Sequence, residues 1–107
     1  MHIATYPAYA PGHIAALLPD DGSGRAFQLL VGTNVVGRGL DTAFRLADPG
    51  VSRQHFDIRW DGHTAVLVDL GSSNGTTVNG IRIDTSWQLV HGDQIRVGGT
   101  LVYFNVG

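Results

Sequence analysis

The 107 residues carry seven arginines, nine aspartates and five histidines, no lysine, glutamate or cysteine, and a net charge of −2 at pH 7. One domain of ordinary size fits that length; the missing lysine excludes a Walker-type phosphate loop and Schiff-base chemistry, and the missing cysteine excludes disulfides, thiolate nucleophiles and cysteine–zinc sites. The negative balance argues against a nucleic-acid partner held by bulk charge, while 15 glycines and 43% hydrophobic residues suggest short strands joined by many turns around a core.

Residues 1–12, MHIATYPAYAPG, hold Pro7, Pro11 and Gly12 without periodicity, and read as a flexible lead-in or linker remnant before a domain over 13–107. No basic segment followed by an apolar stretch is visible there, and no apolar run approaches the ~18 residues of a membrane helix. The expectation is a cytoplasmic domain without membrane insertion. From Ile14 the chain becomes regular: residues 14–18 read as an apolar strand, 20–24 as a turn and 26–30 as the returning strand. Val35 and Val36 follow, then Gly37-Arg38-Gly39, then a strand over 44–46. Asp48-Pro49-Gly50 is a turn signal, because proline presets φ and glycine accepts φ > 0.

Residues 55–70 read as a hairpin around Asp61-Gly62, with a two-residue type I′ loop. That loop pairs Trp60 with His63, Ile58 with Ala65 and Phe56 with Leu67, and sets Asp57 and Arg59 on the other face. Asn74-Gly75 and Asn79-Gly80 are further turns, and strands recur over 81–83, 88–90, 94–97 and 101–106. Roughly ten short strands without a helical period imply an all-β sandwich.

Gly71 to Gly75 spells GSSNG, which satisfies a G-x-S-x-G nucleophile elbow with Ser73 at its centre. The elbow needs a following helix on an α/β sheet, whereas Thr76, Thr77 and Val78 are β-formers, so the hydrolase reading is weak. His2, His13, His55, His63 and His91 show no helical i, i+4 metal spacing, so neither a metal nor a cofactor is expected. His55 reads best as a buried histidine that orders a loop, and Asn74-Gly75-Thr76 as a tight turn more than a glycosylation acceptor. Arg38, Ser52, Arg53, Ser72, Ser73 and Asn74 all fall in loops. In a sandwich, loops at one end cluster even when distant in sequence. Guanidinium and hydroxyl donors without a neighbouring base suit holding a tetrahedral anion, not attacking a carbonyl.

The blocks Gly37-Arg38, Val51-Ser52-Arg53-Gln54-His55, Asp69 to Thr76 (DLGSSNGT) and Val78-Asn79-Gly80 resemble, in order and spacing, the signature of the forkhead-associated (FHA) domain. Leu89, Gly92-Asp93, Ile95 and Val97-Gly98 are similar to its last strands, and GSGRAFQL, GVSRQH and IRWDG look most like an actinobacterial, mycobacterial-type FHA domain. The resemblance implies a sandwich of two twisted sheets and about eleven strands, with recognition loops at one end. It also implies a phosphothreonine-peptide-binding adaptor in Ser/Thr kinase signalling, not an enzyme. By position, Arg38 and Ser52 would contact the phosphate, with Arg53, Ser73 and Asn74 completing the site. Gly37, His55, Gly75 and Asn79 would support it, and Gly50 would lie near the subsite for the third residue after the phosphothreonine. The expected partner is a threonine-phosphorylated protein or kinase, bound by a monomeric domain. The alternative is a scaffold or oligomerisation sandwich whose phosphate site is unused.

Overall fold

A computed structural model describes residues 13–107; the lead-in expected over 1–12, with His2, lies outside the described residues. Eleven strands form two sheets. The six-stranded sheet runs β2 (Phe27–Gln28), β1 (Ala15–Pro19), β11 (Thr100–Val106), β10 (Gln94–Val97), β7 (Thr76–Val78), β8 (Ile81–Arg82). The five-stranded sheet runs β4 (Phe44–Arg45), β3 (Gly32–Gly37), β5 (Phe56–Trp60), β6 (Ala65–Asp69), β9 (Ser86–Leu89). Every pairing is antiparallel except β3 with β4, where Val36 and Gly37 lie beside Phe44 and Arg45. The described residues contain no helix, hence none long and apolar enough to cross a membrane.

Alternation decides which face of each strand is buried. Ile95 and Val97 are buried on β10 while Gln94 and Arg96 are exposed. Phe56, Ile58 and Trp60 point inward from β5, and with Leu17, Leu67, Leu89, Val102 and Phe104 they fill one core between the sheets. The first and last strands pair from Ala15 with Val106 to Pro19 with Val102, in the interior of the six-stranded sheet.

The β5–β6 hairpin departs from the expected register. Trp60 pairs with Ala65, Ile58 with Leu67 and Phe56 with Asp69, so the loop holds four residues, Asp61 to Thr64, not two. The Asp61 carboxylate is the reason: it accepts from the N–H groups of His63 at 2.8 Å and Thr64 at 2.7 Å. That arrangement closes a wider turn in which Gly62 has φ 90° and Asp61 has no positive φ. The slip is an even number of residues, so every side chain keeps its expected face. Asp57 and Arg59 do share the outer face, yet Asp57 is only 4% exposed, beside Val35 and Val68 in the register. A two-residue type I′ loop occurs instead at Asn79-Gly80, where φ is 51° and 81° and Val78 pairs with Ile81.

Candidate functional site

Three loops meet at the end of the sandwich where β3 stops and β5 and β7 begin. They follow β3 (Arg38 to Ala43), β4 (Leu46 to His55) and β6 (Leu70 to Gly75). Backbone bonds lace the first two together: the Arg38 N–H donates to Ser52 O at 2.9 Å and the Gly39 N–H to Arg53 O at 3.0 Å. Gly37 must be glycine for this approach, since a Cβ there would overlap the Arg53 carbonyl and lie 2.8 Å from Ser52 O. The Arg38 side chain donates from Nε to Val51 O at 3.0 Å, which fixes the guanidinium plane.

His55 joins the second loop to the third. It is fully buried, its Nδ1 accepts from the Ser52 N–H at 3.0 Å, and its Nε2 lies 2.8 Å from Gly75 O. A carbonyl can only accept and an N–H can only donate, so this imidazole is the neutral Nε2–H tautomer. The Ser52 hydroxyl accepts from the Ser73 N–H at 3.1 Å, and so keeps its own proton free to donate. Asn74 donates from Nδ2 to Gly50 O at 2.9 Å. Arg38, Ser52, Ser73 and Asn74 are thereby brought to one end by side-chain contacts that reach 13 to 24 residues along the chain. Arg53 is exposed and lines a cavity of about 740 Å³ with Arg38, Gly39, Leu40, Asp41, Arg45 and Gln54. Gly50 lines a second, of about 380 Å³, with Asn74, Gly75, Thr77, Arg96, Gly98 and Gly99.

Two aspartates outside the expected set of site residues, Asp48 and Asp69, hold these loops. The Asp48 carboxylate accepts from the Gly50 N–H at 2.8 Å, the Gly99 N–H at 2.9 Å and the Thr100 hydroxyl at 2.7 Å. The Thr100 hydroxyl first, and then the Gly50 and Gly99 amides, keep its pKa below the ordinary 3.8. Asp69 accepts from the Gly71 and Ser72 amides and, at 2.7 Å each, the Ser72 and Thr76 hydroxyls. Burial pushes its carboxyl up, but the Thr76 hydroxyl and the Ser72 and Gly71 donors outweigh that and hold it below 3.8. The Asp69 pattern was legible, since an aspartate two and three residues before free amides is a local turn motif. The Asp48 contacts reach 51 and 52 residues along the chain and left no sequence signal. Asn79 sits elsewhere: it orders the far end of β7, donating to Asp93 Oδ1 at 2.9 Å and accepting from the Gln94 N–H at 2.9 Å.

Fold and loop geometry together define a β-sandwich whose one end is a prepared set of cationic and neutral donors. Comparison with known families matches residues 34–98 to the FHA domain. The chain is 56% identical over 87 residues to the FHA domain-containing protein FhaA of Mycobacterium tuberculosis, covering 81% of this chain and 16% of FhaA. It is 36% identical over 85 residues to the glycogen accumulation regulator GarA of Mycolicibacterium smegmatis, covering 79% of this chain and 53% of GarA. Among solved structures, the FhaA FHA domain complexed with the intracellular domain of Rv3910 superposes with a TM-score of 0.83 at 53% identity, covering 85% of this chain and 99% of that one. A structure from work on phosphothreonine-dependent FHA domain interactions gives 0.84 at 52% identity, covering 86% and 95%. The chain belongs to the FHA domain family.

Proposed function

We propose that residues 13–107 form a phosphothreonine-peptide-binding module that serves Ser/Thr kinase signalling in the cytoplasm, as a monomer and without catalysis. The observation that carries this reading is the lacing of Arg38, Ser52, Ser73 and Asn74 into one end of the sandwich. A phosphothreonine brings about −1.5 to −2 charges at pH 7 and three acceptor oxygens. In this reading the Arg38 Nη groups and the Ser52 hydroxyl hold the phosphate and Arg53 adds a second guanidinium. Ser73 lies against the phosphothreonine, and Asn74, whose Nδ2 already donates to Gly50 O, pairs through its remaining amide groups with the peptide backbone. Gly37, His55 and Gly75 keep the loops in register, and Asn79 contributes through β7. The Ser73 N–H donates to the Ser52 hydroxyl, and the turn leads into strand β7 and not the helix a nucleophile elbow needs, which suits recognition over hydrolysis. The partner is then a kinase substrate or a kinase carrying phosphothreonine.

Calorimetric titration of the chain with a phosphothreonine peptide and its unphosphorylated twin tests this. The phosphopeptide should bind at least about tenfold more tightly, because charge-assisted hydrogen bonds are worth about 1.5–3 kcal/mol each. A phosphoserine version should be weaker by about fourfold if the threonine methyl, worth ~0.8 kcal/mol, is buried. Equal signals from the twins would leave the scaffold reading in its place.

A further inference from the structure

Arg45 is spent on none of the contacts that build the loops around Ser52 and Asn74, yet its guanidinium, like that of Arg38, is anchored through Nε to a backbone carbonyl. It stands on β4 directly beside Gly37 in the parallel pairing, and its Nε donates to Arg38 O at 2.9 Å. Its backbone is braced in turn, since the Arg45 carbonyl accepts from Arg25 Nη1 at 2.9 Å while the Arg25 guanidinium lies 4.8 Å over the Phe44 ring. Arg38 and Arg45 therefore share one design. Each uses Nε on a backbone carbonyl, and both residues line, with Arg53, the cavity of about 740 Å³. Much of the rotamer entropy that an anion would otherwise have to overcome is already lost.

Charge in that cavity is unevenly matched. Among the described residues the ion pairs join Arg25 to Asp21 and Arg59 to Asp57; none involves Arg38, Arg45 or Arg53. The one carboxylate on the cavity wall, Asp41, lies 3.4 Å from the Gln54 side-chain amide and pairs with no arginine. The Arg45 guanidinium therefore has no ion-pair partner of its own among the described residues, in a cavity of which one phosphoryl group fills only a small part. Leu40, 89% exposed on the rim, adds apolar surface beside it.

We propose that Arg45 and its side of this cavity receive a second anionic group of the same peptide, a carboxylate or a second phosphate a few residues from the phosphothreonine. This subsite rests on the phosphothreonine reading and deepens it: the preferred ligand is a phosphothreonine with an acidic or phosphorylated neighbour, and Arg45 selects it.

Fluorescence anisotropy with labelled peptides tests the assignment. The reference is a phosphothreonine peptide with neutral flanks. The arms carry Asp at each flanking position in turn, and a second phosphothreonine at the best of those positions. At one or two positions the added charge should raise affinity roughly three- to tenfold, the second phosphate more than the carboxylate. Arg45→Gln should abolish that gain while leaving the reference peptide within about twofold, and Arg45→Lys should keep part of it. A gain from the phosphate alone or from the carboxylate as well supports the subsite and tells the two sources apart. The subsite is overturned if no position responds, if the gain survives Arg45→Gln, or if Arg45→Gln weakens all peptides by one common factor, which is the mark of a purely structural role. A reference peptide that binds no better than its unphosphorylated twin would instead remove the phosphothreonine reading, and the subsite with it.

Discussion

The two ends of the sandwich are both closed by aspartates, but the reach of those aspartates differs. At the β5–β6 end, Asp61 bonds His63 and Thr64 and nothing beyond its own turn. At the other end, Asp48 joins the loop before β5 to the loop before β11, His55 joins Ser52 to Gly75, and Ser52 joins Ser73. A turn closed on itself can change shape without consequence for its neighbours. Loops fastened to one another hold their donors in a fixed arrangement before a ligand arrives, which is what recognition of a single charged group requires. The arginines divide in the same way. Arg25 and Arg59 lie against carboxylates on the flanks, whereas Arg38 and Arg45 are anchored through Nε to backbone carbonyls and keep their charge unpaired.

Substitutions at the two ends should therefore behave differently. His55→Ala should have the largest effect on stability, about 2–4 kcal/mol, because it opens a cavity and orphans the Ser52 N–H and the Gly75 carbonyl. Urea unfolding would measure that loss, and peptide titration should show affinity falling with it. Arg38→Ala should leave the unfolding midpoint nearly unchanged and reduce phosphopeptide affinity roughly tenfold or more. Arg59→Ala, which removes the same charge from the outer face, should leave that affinity alone. If both variants bind equally weakly, general charge attraction and not the fastened loops explains binding.

A smaller contrast separates the aspartates. Asp48→Ala should lower stability by about 1–2 kcal/mol and weaken peptide binding, whereas Asp61→Ala should lower stability by about 1 kcal/mol with affinity unchanged. Both carboxyls have pKa values depressed in the folded chain, Asp48 chiefly by the Thr100 hydroxyl and Asp61 by the Thr64 and His63 amides. A depressed carboxyl stabilises the fold above its unfolded value near 3.8 and loses that contribution as the pH falls through the lower folded value. Melting temperature should accordingly fall as the pH drops from about 5 to below 4, and each Asp→Ala variant should show a shallower fall. An unchanged acid slope in Asp48→Ala would contradict the role given to that carboxylate.

Much of this was legible before any coordinates. Strands announced themselves by alternation, and the sandwich by their number and the turns between them. The blocks around Arg38, Ser52 and Asn74 carried a family resemblance that the comparison over residues 34–98 bears out. Two kinds of feature were not legible. One was competition between local turns: Asp61-Gly62 and Asn79-Gly80 look alike, but asparagine takes the positive φ of a type I′ loop while Asp61 spends its carboxylate on the amides of His63 and Thr64. The other was contact across long separations. The Asp48 bonds to Gly99 and Thr100 and the placing of Arg45 beside Gly37 depend on how loops and strands meet in space, and no spacing in the sequence encodes that.

Amide chemical-shift mapping during titration with a phosphothreonine peptide tests the central claim most directly. The account predicts that the largest shifts fall on Arg38, Ser52, Arg53, Ser73 and Asn74, with Asp61 to Thr64 and the outer face around Arg59 nearly still. Shifts centred on the Asp61 turn or that outer face, with the Arg38 and Ser52 amides unmoved, would contradict it.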